Sequence, residues 1–182
     1  LVGVESINDL DREVFGPVLH VATFKSEDLD EVINTINARG YGLTFGLHTR
    51  IDSRVQKVSE HIHVGNIYVN RNQIGAVVGT QPFGGEGLSG TGPKAGGPNY
   101  LRRFLNRPAK HSEETWQYPC DLDALRKSLS QQLDQKQIRL DEMPGPTGET
   151  NHLRSIQKGP ILCLGPGEKT TQEQVERIVE SG

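Results

Sequence analysis

"YGLTFGLHTRIDSRVQKVSEHIHVGNIYVN", residues 41–70, holds two strand signals around one helix signal. Residues 41–49 read as a strand, and "DSRVQKVSEHI" (52–62) reads as a helix with Val55, Val58 and Ile62 on one side. "NIYVN" (66–70), entered through Gly65, reads as a second strand. Strand, helix and strand at this spacing make a βαβ unit, which requires the two strands to lie parallel.

Working back toward the N-terminus, the pattern repeats. Val18–Phe24 alternates loosely and suits a strand, and Ser26 stands before Glu27 and Asp28 where a hydroxyl cap and negative charge favour a helix start. Leu29, Val32, Ile33 and Ile36 then fall on one helical face, and Gly40 sits where a left-handed stop is expected. The fold class read from this order is α/β with a parallel sheet. In such sheets ligands gather beyond the carboxyl ends of the strands. The segment leaving "NIYVN" at that end is "VVGTQPFGGEGLSGTGPKAGGP" (77–98), too rich in glycine and proline for a helix or sheet interior, yet carrying Phe83 and Leu88.

Toward the C-terminus the character shifts near Pro108. "RPAKHSEETWQYP" is polar and irregular, "DLDALRKSLSQQL" (121–133) predicts an amphipathic helix through Leu122, Leu125, Leu129 and Leu133, and "EMPGPTGETN" is a turn-rich link. "PILCL" (160–164) predicts a short strand, followed by a helix opened by Thr170 with Glu173 at capping-box spacing and an apolar face of Val175, Ile178 and Val179. The expected organisation is residues 1–107 as part of a catalytic domain, 108–150 as a linker with a helix, and 151–182 as the start of a smaller α/β module.

The totals exclude several classes. Of 182 residues, 34% are apolar and 24% charged, an ordinary globular balance. Twenty Lys and Arg against 23 Asp and Glu leave a net charge of −3 with no basic block interleaved with aromatics, so no nucleic-acid binding is expected of this chain. No apolar run approaches the roughly 20 residues of a membrane span and no signal peptide is evident, so a cytoplasmic location is expected. Cys120 and Cys163 have neither metal-ligand spacing nor a disulfide framework and read as simple thiols. The chain begins at Leu1 and its single methionine is Met143, which suggests an excerpt of a longer protein.

Two motifs are set aside. "GPGEKT" (165–170) lacks the spacing of a phosphate loop, since Glu168 stands where the glycine before Lys169 belongs. His61 and His63 would not share a helical face, and nothing completes a metal set with them, so no metal site is expected. "EVFGP" (13–17) supports two readings: a Gly-Pro turn that tucks Phe15 into the core, or a turn that presents one carboxylate and one ring to a ligand. A carboxylate accepts two hydroxyl hydrogen bonds from a ribose, and an apolar ring can flank a planar heterocycle.

"EVFGPV", "YGLTFGLHT", "GNIYVN" and "PFGGEGLSGTGPKAGGP", in this order, resemble the C-terminal half of the NAD-dependent aldehyde dehydrogenases. "NRNQIGAVVGTQPFGGEGLSGTGPKAGGPNYLRRF" is similar to the branch that acts on L-glutamate γ-semialdehyde, and "MPGPTGETN" followed by "GPILCL" resembles the bifunctional proline utilization flavoproteins. The resemblance is strong over 1–107 and weaker over 108–182.

The resemblance implies that Glu13 binds the hydroxyls of the nicotinamide ribose of NAD and that Phe15 packs by the nicotinamide. It implies that main-chain amides of Gly75 and Ala76 anchor the α-carboxylate of a small aldehyde substrate, with Phe83 beside its aliphatic part and the apolar residues near Phe83 pinning the loop. Where that branch often has serine this chain has Ala76, which leaves the carboxylate to main-chain donors and to groups outside the chain. The family attacks the aldehyde with a cysteine thiolate, passes hydride to NAD, and hydrolyses the thioester with a glutamate base. Those groups lie upstream of the E-x-F-G-P motif in the family, so no catalytic residue is expected within this chain and the fragment alone is expected to be inactive. The resemblance further implies FAD in a proline dehydrogenase domain outside this chain and a homo-oligomer for the intact protein. Two alternatives stay open: a structural, tunnel-lid or assembly role for residues 108–182, and an aldehyde dehydrogenase of other substrate specificity.

Overall fold

A computed structural model describes residues 1–105, 115, 121–130 and 137–181. The chain divides into two compact units, Leu1–Phe104 and Leu105–Gly182.

The first unit begins with β1 (Val2–Gly3) and β2 (His20–Val21), which pair in parallel. The strand expected over 18–24 is thus confined to two residues, because its partner is equally short. A 3-10 turn at Ser26–Asp28 leads into α1 (Leu29–Ala38). Ser26 does not cap it: its hydroxyl accepts a hydrogen bond from Arg54 Nη2 at 2.8 Å, and a guanidinium competes well with a backbone amide for that oxygen. Gly40 ends the helix at φ 76°, a conformation that a Cβ would strain.

The 41–70 stretch folds as β3 (Tyr41–Gly42), β4 (Thr44–Leu47), α2 (Asp52–His61) and β5 (Asn66–Val69). β4 and β5 are parallel in the register Thr44↔Asn66, Phe45↔Ile67, Gly46↔Tyr68 and Leu47↔Val69, with α2 as the crossover, so the βαβ unit is present. β3 turns aside at Leu43 and pairs antiparallel with β6 (Glu86–Gly87) from the glycine-rich segment.

Side chains alternate across the β4–β5 pair. Phe45, Leu47 and Ile67 pack with Leu29 and Ile36 against a buried cluster of Ile33, Val58, Ile62 and Val64, where Val58 is 1% exposed. This is the hydrophobic core, built from the faces that the helical period marks. Asn37 fastens the chain leaving α2, donating from Nδ2 to His61 O and accepting at Oδ1 from His63 N–H, each at 2.8 Å.

In the second unit Asp121 caps α3 (Leu122–Leu129), accepting from Asp123 and Ala124 N–H at 3.0 Å. β7 (Gln137–Met143) and β8 (Asn151–Ile156) form an antiparallel hairpin, and the turn-rich link is its connection, with Gly148 at φ 85°. Position 150, where a domain boundary was expected, therefore lies inside a hairpin. Residues 160–164 take no ladder partner among the described residues and are not a strand. α4 runs Gly167–Ser181, beginning a turn earlier than the Thr170 cap predicts. The Gln174 amide donates to Gly165 O at 3.1 Å and accepts from Gly165 N–H at 3.2 Å, holding the chain just before the helix. Cys163 is a half-buried free thiol, and Cys120 lies outside the described residues.

Candidate active site

The E-x-F-G-P turn precedes β2. Gly16 adopts φ 130° and Val18 N–H donates to Gly16 O at 2.9 Å, which reverses the chain sharply. Phe15 is 88% exposed, so the reading that tucks it into the core is wrong for this chain. Glu13 is exposed too, and neither side chain makes a hydrogen bond, ion pair or ring contact among the described residues.

The glycine-rich segment covers the face of β5 opposite the helices. Asn70, at φ 55°, ends β5 and exchanges hydrogen bonds with Thr49, accepting from its N–H and donating to its carbonyl, both at 3.0 Å. Beyond it Arg71 lies 5.3 Å from the centre of the Tyr68 ring, and Gln73 sits where a Cβ on Gly46 would point. The chain has turned onto the Tyr68 face.

Gly75 and Ala76 follow, both half-buried. Their neighbours are satisfied: Ile74 N–H donates to Asn72 Oδ1 at 3.3 Å and Val77 N–H to Gln81 Oε1 at 3.0 Å. The N–H groups of Gly75 and Ala76 have no acceptor among the described residues. Main-chain N–H groups left open on an accessible loop can receive an anion.

Phe83 is half-buried and exchanges both main-chain hydrogen bonds with Ala95, N–H to O at 3.0 Å and O from N–H at 2.8 Å. The expectation that apolar neighbours pin this loop is not met: Leu88 is 71% and Val78 97% exposed. Polar groups and bare backbone do it instead. Asn66 donates to Pro82 O at 3.0 Å and accepts from Gly84 N–H at 3.2 Å. Lys94 Nζ donates to Gly84 O at 2.8 Å, to Asn66 Oδ1 at 3.1 Å, and to Gly65 O. A Cβ on Gly65 would stand 1.7 Å from Gly84 O, so glycine is required for the two backbones to meet. Ser89 Oγ accepts from Gly42 N–H at 3.1 Å and closes the far side.

Two ionisable groups respond to this packing. Burial lowers the Lys94 pKa, and the Glu86 carboxylate opposes that shift. Burial raises the Tyr68 pKa, opposed by the Arg71 guanidinium and by the Asn66 side chain. Tyr68 is 4% exposed, and its hydroxyl finds no hydrogen-bond partner of ordinary geometry among the described residues.

Gly75, Ala76 and Phe83 thus share one loop at the carboxyl end of β5, and the Glu13–Phe15 turn lies earlier in the chain, just before β2. Sequence reasoning missed Lys94 and Asn66. The available signal was chemical: irregular glycine-rich backbone leaves carbonyls that need donors, and Lys94 is the only cationic side chain within residues 77–98.

Comparison with known proteins places this geometry. Residues 5–109 match the model of the aldehyde dehydrogenase family. The bifunctional protein PutA of Rhizobium meliloti is 42% identical over 202 aligned positions, covering all of this chain and 16% of that protein. The 1-pyrroline-5-carboxylate dehydrogenase of Bacillus subtilis is 44% identical over 112 positions, covering 62% of the chain and 21% of that protein. A crystal structure of a Bradyrhizobium japonicum proline utilization A point mutant aligns at a TM-score of 0.54 with 58% identity, over 56% of this chain and 10% of that one. The chain therefore spans about one sixth of the PutA relatives, 16% of their length. No helix among the described residues is long and apolar enough to cross a membrane. With the family model matched over more than half its length and the glycine loop seated on a βαβ unit, the chain belongs to the aldehyde dehydrogenase family.

Proposed function

We propose that the full-length protein oxidises L-glutamate γ-semialdehyde to L-glutamate with NAD in proline catabolism, and that this chain supplies the substrate-carboxylate loop and part of the cofactor contact. The observation that carries the reading is the pair of unbonded N–H groups at Gly75 and Ala76, eight and seven residues before an aromatic clamped in place at position 83. A carboxylate-bearing aldehyde needs both parts: donors for the anion and an apolar wall for the chain between its two ends. The relatives named 1-pyrroline-5-carboxylate dehydrogenase and PutA support the same substrate.

The turn at 13–17 fits a nicotinamide ribose by its donor and acceptor chemistry. Glu13 offers a carboxylate with no partner among the described residues, able to take two hydroxyl hydrogen bonds, and Phe15 offers an exposed ring two residues on. NAD when bound supplies the hydride acceptor. Glu13 and Phe15 orient the cofactor, Gly75 and Ala76 hold the substrate's carboxylate, and Phe83 sets the depth of its aliphatic segment. The nucleophile and the general base come from outside this chain. A flavin-dependent proline dehydrogenase domain carrying FAD, a cytoplasmic location and homo-oligomerisation belong to the same reading of the intact protein. Residues 108–182 serve as a non-catalytic module, a role favoured by the exposed Leu122, Leu140, Ile156 and Val179 they present for contact.

Glu13→Ala in the full-length enzyme is expected to raise the NAD Michaelis constant roughly tenfold or more, the loss of charge-assisted hydrogen bonds, with little change for the aldehyde. Unchanged kinetics for both would remove the ribose assignment.

A further inference from the structure

Lys94 is used in a way that neither family membership nor the substrate reading calls for. An ammonium has three protons, and here three oxygens receive them: Gly65 O, Asn66 Oδ1 and Gly84 O. Two of these belong to the entry and first residue of β5, and the third belongs to the residue that follows Phe83. The residue after Lys94 is Ala95, which holds the main chain of Phe83 by two hydrogen bonds. Gly84 N–H is held by the same Asn66 that Lys94 contacts. Every main-chain polar group from Pro82 O to Gly84 O is therefore committed, and Lys94 joins that peptide segment to the sheet.

We propose that Lys94 is a positioning residue for the aldehyde pocket, its ammonium tying the Phe83 segment to the start of β5 and so fixing the ring against the aliphatic part of the substrate. The inference rests on the assignment of Phe83 to the substrate. A lysine suits the task because its single nitrogen, at the end of a long stem, satisfies three oxygens from three directions, which a planar guanidinium cannot match. A shift of about 1 Å in a wall of the pocket is enough to matter kinetically. A purely stabilising lysine would lower the melting temperature and affect both substrates alike. A positioning lysine acts on the aldehyde alone and only through Phe83.

The test is a double-mutant cycle in the full-length enzyme with Lys94→Met and Phe83→Ala, scored on the Michaelis constants of glutamate semialdehyde and NAD. Lys94→Met is expected to raise the aldehyde constant roughly tenfold or more and to leave that for NAD unchanged. In the Phe83→Ala background the same change is expected to cost less than about twofold, since the group it positions is gone. Equal losses in both backgrounds, or a matching rise for NAD, overturn the proposal while leaving the assignment of Phe83 intact. A silent Phe83→Ala is a different pattern: it removes the substrate role of that ring, and the role of Lys94 falls with it. If Lys94→Met does not fold, Lys94→Gln, which keeps two N–H donors on a shorter stem, enters the same cycle with the same outcomes.

Discussion

The two faces of the β4–β5 pair are covered by different physics. One face meets α1 and α2 through Phe45, Leu47 and Ile67 on a buried aliphatic cluster. The other meets the glycine-rich loop through backbone touching backbone at Gly65 and Gly84, with Asn66 and Lys94 as polar fasteners. Apolar packing is broad and forgiving, since many atoms each contribute little. Contact between bare backbones is narrow, because one added methyl group has nowhere to go. The scaffold face is thus expected to degrade gradually under substitution and the loop face abruptly.

The contrast is broken most severely at Gly65. Gly65→Ala places a Cβ at 1.7 Å from Gly84 O and 2.8 Å from Gly85 Cα, neither of which is a movable side-chain tip. A loss of about 3 kcal/mol or more is expected, or displacement of the whole loop. Urea denaturation and aldehyde kinetics on the full-length enzyme together separate these, and a fully active, fully stable Gly65→Ala would contradict the close approach. Next in size is Val58→Ala in the core. Removing two buried methyl groups should cost about 2 kcal/mol, seen as a lower denaturation midpoint, with the aldehyde Michaelis constant unchanged. Smallest is Gly75→Ala. A Cβ there meets nothing within 4 Å and the backbone is not left-handed, so stability should move by less than about 0.5 kcal/mol. Any kinetic effect of Gly75→Ala then comes from the substrate's side, and a stability loss above about 1 kcal/mol would show the glycine to be structural.

The helical face was legible from the sequence because burial by helices leaves a period. Val58 and Ile62 mark α2, Leu29, Ile33 and Ile36 mark α1, and Gly40 stops α1 as its position suggested, whereas Val32 and Val55, expected on the same faces, are half-buried outside the cluster. A local rule failed where a distant side chain took the capping atom: Arg54 takes the Ser26 hydroxyl from the helix start. At the other end of the chain, α4 begins at Gly167 and not at Thr170. "PILCL" has the composition of a strand but no neighbour to pair with among the described residues, and strand identity depends on a partner. At the candidate site, composition singles out the 77–98 segment with Phe83 inside it, while Gly75 and Ala76 come from the family resemblance. The three acceptors of Lys94 could not, since they are main-chain and amide oxygens brought together only by folding.

The left-handed turn at Asn70 has a consequence for chain length. The loop is tethered at two points, the Asn70–Thr49 pair at its start and the Asn66–Pro82 contact further on. Residues 71–81 run between them as a span with fixed ends, and among the described residues its main-chain to main-chain hydrogen bonds are the short-range turns from Thr80 and Gln81 N–H to Val77 O. Lengthening or shortening such a span costs little in closure entropy, because that cost grows only with the logarithm of loop length. Insertions or deletions within it would carry Gly75 and Ala76 toward or away from Phe83 while both anchors stay in place. Under the proposed assignment of Gly75, Ala76 and Phe83, the spacing between the substrate's anion and its aldehyde would therefore be adjustable by residue count alone, without repacking the core.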